Sequence, residues 1–156
     1  MSTSDPIVIV SALRTPMGGF SGCLANVTAP ELGATAIKSV VAQAELGNDQ
    51  VDEVIMGCVL PAGLKQAPAR QSAIAADLAL STVCTTINKV CGSGMKAAMQ
   101  AHDALLACSI EVAVAGGMES MSNAPYLLPK ARAGMRMGHG QVLDHMMLDG
   151  LENAYD

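Results

Sequence analysis

The sequence predicts an α/β fold in which a mostly parallel sheet is covered by helices on both faces. Strand-like and helix-like runs alternate from Pro6 to Gly117. The strand-like runs are apolar at nearly every position, as in parallel strands buried on both sides, where a half-exposed strand would alternate. After Gly117 the character changes: "MESMSNAPYLLPKARAGMRMGHGQ" carries two prolines, three glycines and scattered positive charge. That stretch reads as a long loop or the beginning of an insertion.

The elements follow in order. "IVIVSALRTP" is a continuous apolar run stopped by Pro16 and a glycine turn, and predicts a buried strand over Pro6 to Ala12. Thr28 has the chemistry of an N-cap, with Pro30 in the first turn and Glu31 three residues on, so a helix is expected from about Ala29 to Leu46, ended by Gly47 and Asn48. A second strand is expected over Glu53 to Val59 and a second helix over Ala69 to Leu80. "TVCTTINKV" is β-branched and predicts a third strand. A third helix spans about Cys91 to Cys108, and "EVAVAGG" supplies a fourth strand. In the third helix apolar residues leave only the narrow stripe Lys96, Gln100 and Asp103, which predicts a mostly buried helix. A short helix is expected over Val142 to Asp149.

Composition narrows the function. A chain of 156 residues is one ordinary domain, able to bury roughly 70% of its unfolded surface. With 51% hydrophobic but 2% aromatic residues, its core must be built from Ala, Val, Ile, Leu and eleven Met. A net charge of -5, without a Lys/Arg cluster or aromatic platform, argues against nucleic acid as a partner. No apolar window approaches membrane-spanning length and no basic leader precedes the first apolar run, so a cytoplasmic protein without a membrane partner is expected. Five cysteines form an odd set without zinc spacing; neither a disulfide framework nor a metal site is indicated, and free thiols suit a reducing compartment.

The chemistry concentrates at "NKVCGSGMKA". Cys91 ends the β-branched run and opens the third helix, where unpaired amides and the positive helix end favour a thiolate. A nucleophile on a tight strand-to-helix turn stands clear of the sheet edge, Gly92 and Gly94 keep side chains out of a substrate's way, and the Cys91 N–H is placed to serve an oxyanion. Spacing alone leaves Cys91 divided between nucleophile and space-filler; the other four cysteines read as filler. A rival reading takes Gly92, Gly94 and Ala97 as a dinucleotide-binding turn, with Glu119 as the ribose-binding acid. A third takes the chain as a non-catalytic subunit with a Met-rich interaction surface. His102 lies eleven residues along the helix, about 16 Å away by axial rise, and cannot serve Cys91. His139 and His145 fall in the loop-rich tail, where solvent exposure is expected.

"NKVCGSGMKA", together with "VIVSALRTPMGGFSG", "AGGMESMSNAPY" and "MLDGLENAYD" in that order, resembles the thiolases, the acyl-CoA acetyltransferases. The resemblance covers essentially the whole chain. It implies a thiolase-like half over residues 1–119, incomplete, and the start of an inserted loop domain over residues 120–156. It implies that Cys91 takes an acyl group from an acyl-CoA as a thioester, before a second acyl-CoA loses an α-proton and attacks it. Leu151, in "DGL", matches a position that lies against coenzyme A. No metal or redox cofactor is implied, since coenzyme A thioesters are the substrates. The tail looks most like the short-chain, acetoacetyl-CoA-forming members, with a longer-chain 3-ketoacyl-CoA thiolase as the alternative. A place in fatty acid metabolism and a homo-oligomer, dimer or tetramer, are also implied. The family is more than twice this length, and the histidine, second cysteine and asparagine of its second half have no matching positions here. Alone, the chain is expected to be inactive.

Overall fold

The computed structural model describes residues 6–155. Its centre is a three-stranded parallel sheet in the order β2-β1-β3, made of β1 (Glu53–Gly57), β2 (Val83–Ile87) and β3 (Ala113–Gly117). Both ladders are in parallel register, with Ile55 opposite Thr85 on one side and Ala115 on the other. Three helices cover it: α1 (Ala29–Gln43), α2 (Pro68–Ala75) and α3 (Ser93–Leu106). Alternation along β1 separates two cores. Val54 and Met56 point into a cluster with Ile37, Val41, Ala69 and Ala73 of α1 and α2. Ile55 points the other way, onto Ala97 and Ala101 of α3. The expected mostly parallel sheet with helices on both faces is therefore what the chain builds.

The start of α1 follows from its sequence. The Thr28 amide and hydroxyl both donate to Glu31 Oε2 at 2.7 Å, so the carboxylate three residues on closes the N-terminus. Its end does not. The helix stops at Gln43 because Glu45 adopts φ 56, while its N–H and that of Leu46 turn back to Ala42 and Val41. Gly47 is not needed. The same device ends α2, with Asp77 at φ 66, five residues before the expected Leu80 boundary.

Two expectations are corrected. Residues 6–12 form neither helix nor strand, and Ile9 is 88% exposed, where a buried strand was expected. Apolar content favours a strand only when a ladder partner is at hand, and the sheet pairs only β2, β1 and β3 here. Residue Ser11 instead donates its hydroxyl to the Gln43 side chain. Helix α3 was expected to be mostly buried, yet Met95 and Met99 are exposed while Lys96 and Gln100 are partly covered. Its Ala97–Ala101 face packs on the sheet, Ala104 and Leu105 are partly covered, and Met95, Met99 and Leu106 stay exposed among the described residues.

Beyond β3 the chain forms short pieces, as the loop reading expected: a two-residue antiparallel pair, β4 (Tyr126–Leu127) with β5 (Leu143–Asp144), and a π-helical turn over Met146–Leu151 where an ordinary short helix was expected. Among the described residues no helix is long and apolar enough to cross a membrane.

Candidate active site

The carboxyl ends of the three parallel strands lie against the N-terminus of α3, and glycines make that approach possible. A side chain at Gly57, the last residue of β1, would sit 2.6 Å from Ser93 Cβ and 2.8 Å from the Gly94 nitrogen. A β-carbon on Gly117 would meet Gly94 Cα at 3.4 Å. Small residues at the end of β1 and β3 thus let the helix start be drawn onto the sheet edge.

Cys91 stands on the corner between β2 and α3, exposed. The turn is held by a local network. Asn88 Oδ1 accepts the Val90 N–H at 2.8 Å, the buried Ser93 hydroxyl accepts the Lys89 N–H at 2.8 Å, and that hydroxyl donates to the Val90 carbonyl at 2.6 Å. Between these bonds Val90 is forced to φ 48, a left-handed conformation costly for a β-branched residue. The strain lies one residue before the thiol, and Asn88 and Ser93 are the site residues that sequence reasoning passed over. Their signal was available: Asn and Ser flanking a tight turn are the residues that bond their own backbone.

A cleft of about 600 Å³ opens beside this corner. Its walls include Cys91, Val90 and Gly117 from the sheet edge, Leu13 and Arg14 from the N-terminal segment, and Leu151 from the π-helical turn. Cys91 and Leu151, sixty residues apart, therefore line one cavity. Of the remaining thiols, Cys58 is buried, and burial with the Glu119 carboxylate beside it pushes it up to about 12. Burial also raises Cys84. Neither has the accessibility of a nucleophile.

Glu119, the acid of the dinucleotide reading, is otherwise engaged. Its two oxygens accept the Val59 and Leu60 N–H groups at 2.7 and 3.1 Å, so it pins the loop after β1. His102 is exposed beside Asp103 on the outer part of α3. His139 is exposed, as expected. His145 is not: it is 4% exposed, with Nδ1 against Asp149 and Nε2 accepting the Ala62 N–H at 3.3 Å. The tail around it is loop-rich but packed, since the pairing of β4 with β5 brings His145 beneath Pro125 and the loop after β1. Among the described residues no group of three His, Cys, Asp or Glu side chains is arranged to hold a metal.

Comparison with known proteins gives one consistent result. The family model for the thiolase N-terminal domain matches residues 7–156. The chain is 53% identical over 150 residues to an acetyl-CoA acetyltransferase of Cupriavidus necator, covering 96% of this chain and 38% of that protein. It is 55% identical over 146 residues to that of Escherichia coli, covering 92% and 37%. It is 48% identical over 155 residues to that of Saccharomyces cerevisiae, covering 98% and 39%. A crystal structure of Acat5 thiolase from Ascaris suum in complex with coenzyme A superposes with a TM-score of 0.89 at 39% identity, over 94% of this chain and 38% of that one. The chain thus spans under two-fifths of the length of the relatives it matches.

Proposed function

The chain belongs to the thiolase family, and from that premise we propose that it carries the nucleophile of an acyl-CoA acyltransferase, with Cys91 as the residue acylated. The observation that carries this reading is the exposed thiol on a strained, glycine-backed strand-to-helix corner, opening into a cleft. The Cys91 thiolate attacks the thioester carbonyl of an acyl-CoA. The carbon–sulfur bond to coenzyme A then breaks, and coenzyme A leaves as a thiolate that takes up a proton. One thioester is exchanged for another, so the step is close to balanced in energy. The Cys91 N–H stabilises the oxyanion formed on the way.

In the whole protein a second acyl-CoA, deprotonated at its α-carbon, displaces the cysteine sulfur to give a 3-ketoacyl-CoA, and thiolysis runs the reverse. The substrate is acetyl-CoA and the product acetoacetyl-CoA. Support comes from the relatives named acetyl-CoA acetyltransferase at 48–55% identity; the longer-chain alternative has no comparable support among them. Leu151 lies against coenzyme A in this reading, supported by its place in the lining of the same cleft as the thiol. Residues 120–156 are the start of a domain inserted into the α/β half, supported by the short irregular pieces that follow β3. The protein works in a reducing, cytoplasmic setting as a homo-oligomer, a reading supported by five free thiols and by exposed apolar residues such as Ile9 and Met95.

Intact-mass analysis after brief exposure to acetyl-CoA, with Cys91→Ser as control, tests this reading. The expected result is a single acetyl adduct mapping to Cys91, in this chain or in a version extended to full thiolase length, and none in the Ser variant. An extended, folded protein that stays unmodified would overturn it.

A further inference from the structure

The loop after β1, Cys58 to Ala62, forms one side of the cleft, and its amides are held from two directions. Val59 and Leu60 donate to Glu119. Ala62 donates to Nε2 of His145, eighty-three residues further on. His145 also opens the π-helical turn that ends at Leu151, and the turn rests on the same loop: a β-carbon added at Gly150 would sit 3.2 Å from the Leu60 side chain. One imidazole thus ties the two walls together, and it is buried.

The contacts settle its proton. Nε2 accepts from an amide, so the ring proton sits on Nδ1, facing the Asp149 carboxylate four residues on. We propose that His145 is the positioning residue that fixes the Leu151 wall of the cleft against the loop after β1, its Nε2 accepting the Ala62 N–H while Asp149 holds Nδ1 from the same turn. This rests on the reading of the cleft as the coenzyme A site. Without the Nε2 acceptor the Ala62 N–H loses its partner and the two walls lose their tie. Of the neighbouring carboxylates, Asp144 is turned to the Met146 N–H and Glu119 to Val59 and Leu60, so neither replaces Nε2.

The test compares the wild-type chain with His145→Phe, which fills the space without an acceptor, and His145→Gln, whose amide oxygen can take the place of Nε2. Circular dichroism checks that each is folded. Hydrogen exchange is read at the 58–62 and 146–151 segments, and coenzyme A affinity by calorimetry. In the Phe variant both segments should exchange about tenfold faster while β1 and α1 stay protected, and coenzyme A should bind about tenfold more weakly. The Gln variant should stay within about threefold of wild type in both readouts. Unchanged exchange or affinity in the Phe variant, or a Gln variant as impaired as the Phe variant, would overturn the proposal. A wild-type chain that binds no coenzyme A would bring down the cleft reading and the role of His145 with it. Binding that is intact but indifferent to residue 145 would sink only the latter.

Discussion

At the scale of single residues, environment sorts five chemically identical thiols into different roles. Cys58 sits in the core just after β1 and Cys91 on the cleft, and burial and Glu119 push Cys58 to about 12 while Cys91 is exposed. At pH 8 roughly one Cys58 in ten thousand is then a thiolate. Maleimide labelling of the folded chain near that pH should therefore modify Cys91, Cys23 and Cys108 and leave Cys58 intact until denaturant is added; peptide mapping reads the result. Gly57 carries a second prediction. A methyl group there meets backbone and β-carbon of α3, neither of which can swing aside, so Gly57→Ala should cost about 2–3 kcal/mol in urea unfolding. Because the start of α3 must shift, the variant should also slow acylation of Cys91. Only the cysteine was legible at this scale. Gly57 sits in "VIMGC" as an unremarkable strand residue, and its importance arises from a helix thirty-six residues away.

Elements are held in register by side chains at their ends. Asp52 precedes β1, and its carboxylate accepts the Glu111 and Val112 N–H groups at 2.8 and 3.0 Å, while its carbonyl accepts the Val83 N–H. One residue therefore gathers the starts of all three parallel strands. The amide bonds from Glu111 and Val112 hold its pKa below the ordinary 3.8, as the Thr28 hydroxyl and amide hold Glu31 below 4.5. A depressed carboxylate contributes stability that is fully present above its ordinary value and is lost as pH falls through the folded value. Urea midpoints should thus be level near neutrality and fall below about pH 4, and Asp52→Asn should flatten that fall. Capping chemistry was readable here because Thr28 and Glu31 act over three residues. Helix ends were not, because Glu45 and Asp77 take left-handed conformations that propensity assigns to glycine, and packing against the sheet outweighs the local cost.

For the whole molecule, the distribution of apolar surface is the telling feature. Ile9 and Val10 from the N-terminal segment and Met95, Met99 and Leu106 on α3 are all exposed. Exposed apolar side chains of this size favour association. Sedimentation velocity should show concentration-dependent self-association of the 156-residue chain, reduced by Met99→Lys. Because Met99 is already exposed, that substitution should change the unfolding midpoint by no more than about 0.5 kcal/mol. A charged variant that associates as before would place the contact elsewhere. The same surface explains why the first apolar run was misread as a strand and α3 as a buried helix. Both are apolar enough for burial, and burial needs a partner that the described residues do not supply.

What the sequence determined by itself is local and periodic: the alternation of strand and helix, the parallel sheet that alternation demands, the capped start of α1, and a cysteine poised at a strand-to-helix corner within four thiolase-like segments. These rest on interactions within a few residues, or on motifs quoted whole. What only the tertiary structure decided is long-range: that Gly57 admits α3 to the sheet edge, and that Glu119 and His145 hold one loop from two sides. Each joins residues between 36 and 83 positions apart, and no pattern along the chain encodes such a meeting. It is set by how the sheet and helices pack, which fixes position in space only after every element has found its neighbour.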